Sequence, residues 1–255
     1  MELDLPLHVL GSPIRATTEV AFGDNRSTYR IELDDDRVLA ARILAGPEAA
    51  ADAARIATVM ARLADAGLPV PTPNLVEATG GVWLLTPWVP GRPGAAWMDT
   101  PARARHLAER MGRLAHRLRA VDVAGIHLDA GGRSGAFVLQ HGDFAPINVI
   151  VDADGEIAAV LDLEHARLGP PHTDVAWWGW VVRHHHPEAW AAAWPTFRAA
   201  AGVEAEVPDA ELHALALLEL ARRASSAVND RARQRWVDRL VDAETWVVAG
   251  SGQAM

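Results

Sequence analysis

Two short runs of β-branched residues, separated by an Asp-Gly turn, constrain this sequence more than any other feature. Residues 149–151 and 157–160 flank the segment 152–156, whose Asp-Gly step is a strong signal for a β-hairpin. Neighbouring strands lie about 4.8 Å apart, so Asn148 and Asp162 would lie nearly opposite each other at the open end of the hairpin. The sequence therefore predicts that a carboxamide and a carboxylate meet there and could bind one cation.

Asp143 precedes Asn148 in the loop that leads into the first of these strands. Phosphoryl transfer uses such a set of groups: hard oxygen ligands hold Mg²⁺ against nucleotide phosphates, and a separate Asp orients and deprotonates the attacking hydroxyl. The spacing Asp-x4-Asn, with a further Asp later in the chain, is that of a kinase catalytic loop. We therefore expect Asp143 to be the catalytic base, and Asn148 and Asp162 to be Mg²⁺ ligands.

The charged residues limit which side chains can form the nucleotide site and which classes of partner the protein can bind. All 24 basic residues of the 255-residue chain are Arg, so the strand Lys of a kinase nucleotide site cannot exist here. The net charge of −9 argues against a nucleic-acid partner and is compatible with a cationic substrate. No apolar run approaches the ~20 residues that span a bilayer, and no basic signal region opens the chain. With no Cys either, we expect a cytoplasmic protein without a membrane partner.

The order of the predicted elements indicates an α+β fold with two lobes. The predicted strands cover 17–22, 27–33, 38–44 and 82–85. The predicted helices cover 49–66, 101–120, 174–183, 188–200, 209–228 and 232–248. The Pro- and Gly-rich stretch 86–94 is the proposed hinge. We therefore expect a small β-rich nucleotide-binding lobe over 1–88 and a mainly helical catalytic and substrate-binding lobe over 89–255, with a cleft between them.

The catalytic segment also resembles a known family. His141-Gly142-Asp143 with Asn148, followed by Asp162-Leu163-Glu164, is similar to the motifs of the aminoglycoside phosphotransferase and choline-kinase-like small-molecule kinases. The resemblance covers roughly Thr18 to Trp178 and implies the bilobal protein-kinase-like fold. It also implies transfer of the γ-phosphate of ATP or GTP, with Mg²⁺, to a hydroxyl of a small-molecule alcohol such as an antibiotic, a sugar or an amino alcohol.

The resemblance implies roles for residues around this segment. His141 and Asp174 would hold the catalytic loop in place. The segment 22–30 resembles the phosphate-covering loop of the family, and its Gly23, Asn25 and Ser27 are candidate nucleotide contacts. Two hinge residues, Thr86 and Trp88, are further candidates for contact with the nucleotide.

Arg42 stands where the family has its nucleotide-clamping Lys, and a guanidinium can also bind phosphate oxygens. The family's acidic partner of that side chain would fall on Ile56, which the apolar stripe of the helix places in the core. We therefore expect the acidic partner of Arg42, if it has one, to be Asp52 or Glu48.

Candidate substrate contacts come from the later part of the sequence. Glu164 shares a strand face with Asp162 and could approach the metal or the substrate. Trp177, Trp178 and Glu219 follow the catalytic region, and carboxylates near aromatic faces favour a cationic alcohol. The alternative, that the carboxylates of these helices pair with neighbouring arginines, stays open.

Other functions also stay open. A kinase-like protein that binds its ligands without turnover would fit the missing helix Glu but leaves the complete set of Asp143, Asn148 and Asp162 unexplained. A metal-dependent hydrolase could use His141, Asp143, Asp162 and His165, although it gives no reason for Asn148 or for the order of the lobes. A nucleotidyl transferase on the same fold is a third alternative.

Overall fold

A computed structural model describes residues 10–20, 28–78, 80–125, 128, 137–203 and 205–250, with side chains described as far as 246. In these ranges the N-terminal part forms a five-stranded antiparallel sheet with the strand order β1-β2-β3-β5-β4. Helix α1 (Ala49–Asp65) follows the third strand. The strands are β1 (Ile14–Val20), β2 (Thr28–Leu33), β3 (Val38–Ala45), β4 (Asn74–Ala78) and β5 (Gly81–Pro87).

The two faces of this sheet carry different side chains, because successive residues of a strand point to opposite sides. One face buries a separate hydrophobic cluster that includes Ile31, Ala41 and Trp83. The opposite face carries Arg42 and Leu44, and Leu44 is buried in the cluster that also contains α1. Arg42 therefore lies on the side of the sheet that faces the rest of the chain.

The C-terminal part is mainly helical, with short strands between its helices. Pro101 opens the first of these helices, and the Thr100 side chain caps it by accepting a hydrogen bond from the Arg103 N–H at 3.4 Å. The helices are α2 (Pro101–Arg119), α3 (Thr173–His185), α4 (Pro187–Ala200), α5 (Asp209–Ser225) and α6 (Asp230–Gly250). The strands are β6 (Arg92–Pro93), β7 (Val138–Gln140), β8 (Val149–Val151), β9 (Ile157–Val160) and β10 (Arg167–Gly169).

The hairpin predicted from the Asp-Gly turn is present. Strands β8 and β9 pair antiparallel, and Val149 lies opposite Val160. Beyond this pair the Leu161 N–H donates to the Asn148 carbonyl at 2.9 Å. The open end of the hairpin therefore joins the two segments that contain Asn148 and Asp162.

The largest hydrophobic cluster extends across both parts of the chain. The buried face of α1, with Ile56, Met60 and Leu63, belongs to the same cluster as Leu107 and Met111 of α2. The Val160 N–H also donates to the Pro69 carbonyl at 2.7 Å. Helix α1 is thus packed against the C-terminal part as well as against its own sheet.

Most predicted elements are present, and the differences involve element ends and very short strands. Strand β1 begins at Ile14 rather than at residue 17, and α5 ends at Ser225 rather than at residue 228. Strands β4, β6, β7 and β10 were not predicted; the last three have two or three residues each, too few to show a period of two. In the ranges described above, no helix is long and apolar enough to cross a membrane. The observed order of elements confirms the α+β class.

Candidate active site

The loop that follows β7, which contains the candidate base Asp143, is held by a buried carboxylate at the start of α3. The Asp174 carboxylate accepts hydrogen bonds from the main-chain N–H groups of His141, at 2.7 Å, and Gly142, at 3.0 Å. Burial raises the pKa of Asp174 despite these bonds. Gly142 has φ +78°, and a Cβ placed on it would lie 2.0 Å from the His165 carbonyl oxygen. Only Gly fits at this position, because it combines a left-handed backbone with a close approach.

His141 connects the loop to the strand end that precedes Asp162. Its Nε2 lies 2.8 Å from the Leu161 carbonyl oxygen, and its Nδ1 accepts a hydrogen bond from the Asp143 N–H at 3.3 Å. With these partners Nε2 faces a carbonyl acceptor and Nδ1 faces a main-chain donor. His141 is buried, so its contacts are those of a residue that supports the loop.

Asp143 and Asn148 are in direct contact. The Asn148 amide nitrogen donates to the Asp143 carbonyl oxygen at 2.8 Å and to its Oδ2 at 3.0 Å. The other carboxylate oxygen, Oδ1, accepts from Trp177 Nε1 at 3.0 Å and from Arg223 Nη2 at 2.9 Å. Burial alone would raise the pKa of Asp143, but the charge of Arg223, the neighbouring His141 and His165 and the bond from Asn148 outweigh it and lower that pKa. Asp143 is therefore held as an ionised carboxylate in a fixed orientation.

Arg42 pairs with the acidic residues at the end of the hairpin, which corrects one expectation. Its Nη1 lies 3.0 Å from Asp162 Oδ1, and its Nη2 lies 3.0 Å from Glu164 Oε1. The expected partners were Asp52 and Glu48, but Asp52 instead pairs with Arg55 at 3.2 Å. The acidic groups beside Arg42 therefore come from the segment after β9 and not from helix α1.

The reason for this difference lies on the face that α1 turns toward the hairpin. Ile56 is 2% exposed and packs in the core, as its place in the apolar stripe predicts. Its neighbour Arg55 donates from Nη2 to the Glu164 carbonyl at 2.8 Å and from Nη1 to the Ala166 carbonyl at 3.2 Å. The Arg55 side chain of α1 therefore binds the main chain of the segment that contains Glu164. The carboxylate that contacts Arg42 is that of Glu164 and not one from α1.

The remaining candidate nucleotide contacts lie partly outside the described residues. Gly23, Asn25 and Ser27 belong to residues 21–27, which the structure does not describe. Thr86 lies opposite Ala40 in the pairing of β5 with β3. The Trp88 N–H donates to the Val38 carbonyl at 2.9 Å, and the Arg30 guanidinium lies 5.6 Å from the Trp88 ring centroid. Thr86 and Trp88 thus lie at the end of the sheet beside the connection to the C-terminal part.

Of three candidate substrate contacts, Trp178 lies in the core, whereas Trp177 and Glu164 contact other residues of the site. Trp178 is completely buried and stacks on Phe197 with 3.8 Å between ring centroids, so it is a core residue. Trp177 is also buried, but its indole N–H reaches Asp143. Glu164 pairs with Arg42 as described, and its side chain is 13% exposed.

Glu219 is the second substrate candidate that needs correction. Its side chain is 3% exposed and contacts Arg167 at 2.8 Å, Arg222 at 2.6 Å and Arg223 at 3.0 Å. Burial would raise the pKa of Glu219, but the bond from Arg222 and the charges of the other two arginines lower it. The alternative that had stayed open, pairing with neighbouring arginines, is therefore correct for Glu219.

The sequence reasoning missed the roles of Arg223 and Arg55. Arg223 donates to both the Gly142 carbonyl, at 2.6 Å, and Asp143 Oδ1, and its guanidinium lies 4.0 Å from the Trp177 ring centroid. A local signal did exist for its pair with Glu219, because residues four apart on a helix are neighbours. No local signal existed for its contact with Asp143, which is 80 positions away in the sequence.

Two side chains with oxygen atoms are available as metal ligands at the open end of the hairpin. Asp162, with its side chain 29% exposed, and the Asn148 amide are hard oxygen donors of the kind that Mg²⁺ accepts together with nucleotide phosphates. Among the described residues, no group of three or more His, Asp or Glu side chains is arranged to hold a metal ion.

Comparisons with known proteins identify the family of this chain. The sequence profile described as "Phosphotransferase enzyme family" matches residues 17–134 and 124–209, which together span more than half of the chain. No curated protein matches the sequence.

Solved structures with the same fold include antibiotic phosphotransferases. A macrolide 2'-phosphotransferase from Brachybacterium faecium is 19% identical, with a TM-score of 0.66 over 92% of this chain and 96% of that chain. A thermostable mutant of the aminoglycoside phosphotransferase APH(4)-Ia is 14% identical, with a TM-score of 0.69 over 93% and 95% of the two chains. An amicoumacin kinase is 12% identical, with a TM-score of 0.62 over 90% and 88%. The expected kinase-like fold is confirmed, and the chain belongs to the phosphotransferase enzyme family as a small-molecule kinase.

Proposed function

We propose that this protein transfers the γ-phosphoryl group of ATP or GTP to a hydroxyl of a small-molecule alcohol, with Asp143 as the catalytic base. The observation that carries the proposal is the contact between Asp143 and Asn148, which occupies the open end of the hairpin. The Asn148 amide binds both the carboxylate and the carbonyl of Asp143, while the Asn148 carbonyl accepts the Leu161 N–H. The base and the Asp162 segment are thereby fixed relative to each other.

In the proposed reaction, a hydroxyl of the acceptor binds beside the Asp143 carboxylate and attacks the γ-phosphorus. A P–O bond forms to the acceptor oxygen, the bond from phosphorus to the nucleoside diphosphate breaks, and the hydroxyl proton passes to Asp143. A carboxylate with a lowered pKa is a weak base, which suits a loose transition state in which the proton moves late. Asp143 then acts mainly by orienting the hydroxyl, and contacts from Trp177, Arg223 and Asn148 fix its orientation.

Asp162 and Asn148 are the proposed residues for Mg²⁺, which when bound would neutralise the nucleotide phosphates. Arg42 is the proposed contact for the phosphates from the N-terminal sheet. In this structure Arg42 pairs with both Asp162 and Glu164. We propose that Arg42 turns from Asp162 to the phosphates when nucleotide binds, while Glu164 continues to hold the guanidinium.

Two structural relatives contain ligands that support this assignment. The structure of the aminoglycoside phosphotransferase APH(4)-Ia is a ternary complex with ADP and hygromycin B, and the amicoumacin kinase is bound to AMP-PNP and Ca²⁺. A nucleotide donor and a small-molecule acceptor are therefore the natural ligands to test. The lobe boundary near residue 88, the nucleotide contacts of Thr86 and Trp88 and a cytoplasmic location remain predictions.

The decisive variant is Asp143→Asn, which preserves size and removes the base. We expect it to lower kcat by about 10²–10⁴-fold with any accepted alcohol, since general base catalysis contributes about that much. Binding of AMP-PNP or GMP-PNP with Mg²⁺, measured by calorimetry, should stay within about threefold of wild type. A folded Asp143→Asn protein with normal kcat would show that Asp143 is not the base.

A further inference from the structure

The acceptor side of Asp143 is built from arginines and tryptophans. Arg223 Nη2 lies 2.9 Å from Asp143 Oδ1, and its guanidinium lies over the rings of Trp177, at 4.0 Å, and Trp236, at 5.3 Å. Trp177 donates to the same carboxylate oxygen. A hydroxyl that approaches Asp143 therefore meets a cationic and aromatic wall formed by helices α3, α5 and α6.

Both carboxylates in this neighbourhood already have charged partners, and Glu219 has no room for an ammonium group. Glu219 is saturated by Arg167, Arg222 and Arg223, so a substrate amine would have to displace a guanidinium from a buried position. The Asp143 oxygens are bound by Asn148 and Arg223 as well as Trp177. In the group linked through Glu219, three guanidiniums (Arg167, Arg222, Arg223) face two carboxylates (Asp143, Glu219), so this group by itself has one positive charge in excess, while Asp162 and Glu164 pair with Arg42.

Other acidic residues lie close by or on the same helices, but they bind other groups. The Asp174 carboxylate would balance the excess charge, yet it accepts the main-chain N–H groups of His141 and Gly142 behind the loop. Asp230 is fully exposed and pairs with Arg233, and Asp242 lies beside His184. None of these three contacts is to Asp143 or to the arginines around Glu219.

Arg222 is the member of this cluster that is open to solvent. Its side chain is 42% exposed, compared with 10% for Arg223 and 22% for Arg167. Its Nε and Nη2 bind the two oxygens of Glu219 at 2.8 and 2.6 Å, so a bidentate bond fixes the guanidinium and its Nη1 lies outside that bond. The bond to Glu219 raises the pKa of Arg222, and the charge of Asp143 raises it further. Arg222 is thus a charged group with a fixed orientation, and its electrostatic attraction to Asp143 favours the charged form.

We propose that the acceptor alcohol carries an anionic group near its reacting hydroxyl, and that Arg222 binds this group. A fixed guanidinium binds a carboxylate or phosphate with directional, charge-assisted bonds, whereas it repels an ammonium group. This inference rests on the proposed phosphotransfer at Asp143 and specifies its substrate class. It replaces the cationic alcohol that the composition of the later helices had suggested.

The test uses acceptors that differ in one substituent. Glycerol, 3-amino-1,2-propanediol and glycerate form one series, and glucose, 6-amino-6-deoxyglucose and glucuronate form a second. Release of ADP or GDP in the presence of Mg²⁺ gives kcat/KM for each compound. We expect the carboxylate member of a series to be the best acceptor and the amine the poorest.

The matched variants are Arg222→Gln and Arg233→Gln, the latter on the exposed surface of α6 in a pair with Asp230. Arg222→Gln should lower kcat/KM for the carboxylate acceptor by about 10-fold or more, as expected for a lost bond between charged groups, and for the neutral acceptor by less than about threefold. Arg233→Gln should change neither. An equal loss for all acceptors would assign Arg222 to the transferred phosphoryl group and overturn the proposal.

Binding measurements separate this inference from the proposed function. Saturation-transfer NMR of both series with AMP-PNP and Mg²⁺ reports acceptor binding without turnover, and Arg222→Gln should remove the preference for the carboxylate compounds. If no compound is phosphorylated, these spectra decide the inference on their own. Preferential binding of the amines, or no preference related to charge, would refute it while leaving phosphotransfer to other alcohols intact.

Discussion

Replacing Glu219 by Gln removes one negative charge from the centre of three arginines and should destabilise the folded protein strongly. The Glu219 side chain is 3% exposed, and its partners Arg223 and Arg167 are 10% and 22% exposed. Removing one partner of a buried ion pair costs about 3–5 kcal/mol, because the remaining charge stays buried without compensation. The third partner, Arg222, is 42% exposed, so solvent screens much of its contribution.

We therefore expect Glu219→Gln to lower the free energy of unfolding by about 3 kcal/mol at neutral pH. For a protein of this size, each kcal/mol shifts Tm by about 2–4 °C, which gives a decrease of roughly 6–12 °C. The effect should depend on pH in a defined direction. Because the folded state lowers the pKa of Glu219, its stabilisation is fully present above the unfolded value of about 4.3 and is lost as the pH falls through the lower folded value.

Urea unfolding of wild type and variant between pH 8 and pH 4 measures this difference. The gap should stay constant down to about pH 5 and should narrow below it. Asp230→Asn is the matched control, since Asp230 is a fully exposed helix carboxylate paired with an arginine and its loss should leave the free energy of unfolding close to that of wild type. A gap below about 1 kcal/mol at pH 7, or one that does not change in acid, would refute the account of Glu219.

Two further variants test the nucleotide side and the loop. Glu164→Gln should lower kcat about 10-fold, which corresponds to the loss of one charge-assisted bond to Arg42. Asp52→Asn, the control, should leave kcat within about twofold. Equal losses of kcat in steady-state assays would show that Asp52 is also a partner of Arg42. Gly142→Ala should lower the free energy of unfolding by about 1–3 kcal/mol and impair turnover, because φ is +78° and the new Cβ would meet the His165 carbonyl. Thermal unfolding and activity near wild type in Gly142→Ala would contradict this view of the loop.

The sequence predicts the parts of the fold that local patterns determine. Helix α2 follows from its apolar stripe and from Pro101 at its start, and the hairpin follows from its Asp-Gly turn. The adjacency of Asp143 and Asn148 follows from their spacing in one loop. Each of these features depends on residues that are close in the sequence, where geometry leaves few alternatives.

Contacts between distant segments were harder to predict. The acidic partner of Arg42 was sought on helix α1, yet Asp162 lies 120 positions away and belongs to the hairpin. The sequence places Trp178 near the substrate, but its ring packs in the core. Trp177, the preceding residue of the helix, is the one whose indole reaches Asp143. An amphipathic pattern identifies the buried side of a helix and does not identify the group that it contacts there.

The packing of α1 has a consequence for protein engineering. Dividing the chain after residue 88, as in a split reporter made of two fragments, would separate Ile56, Met60 and Leu63 of α1 from the α2 residues that belong to the same hydrophobic cluster. Both fragments would expose apolar surface and would aggregate alone or assemble only with each other. Exchange of the first 88 residues between family members would likewise require a compatible α1 surface. The two halves of the chain are therefore one unit for recombination.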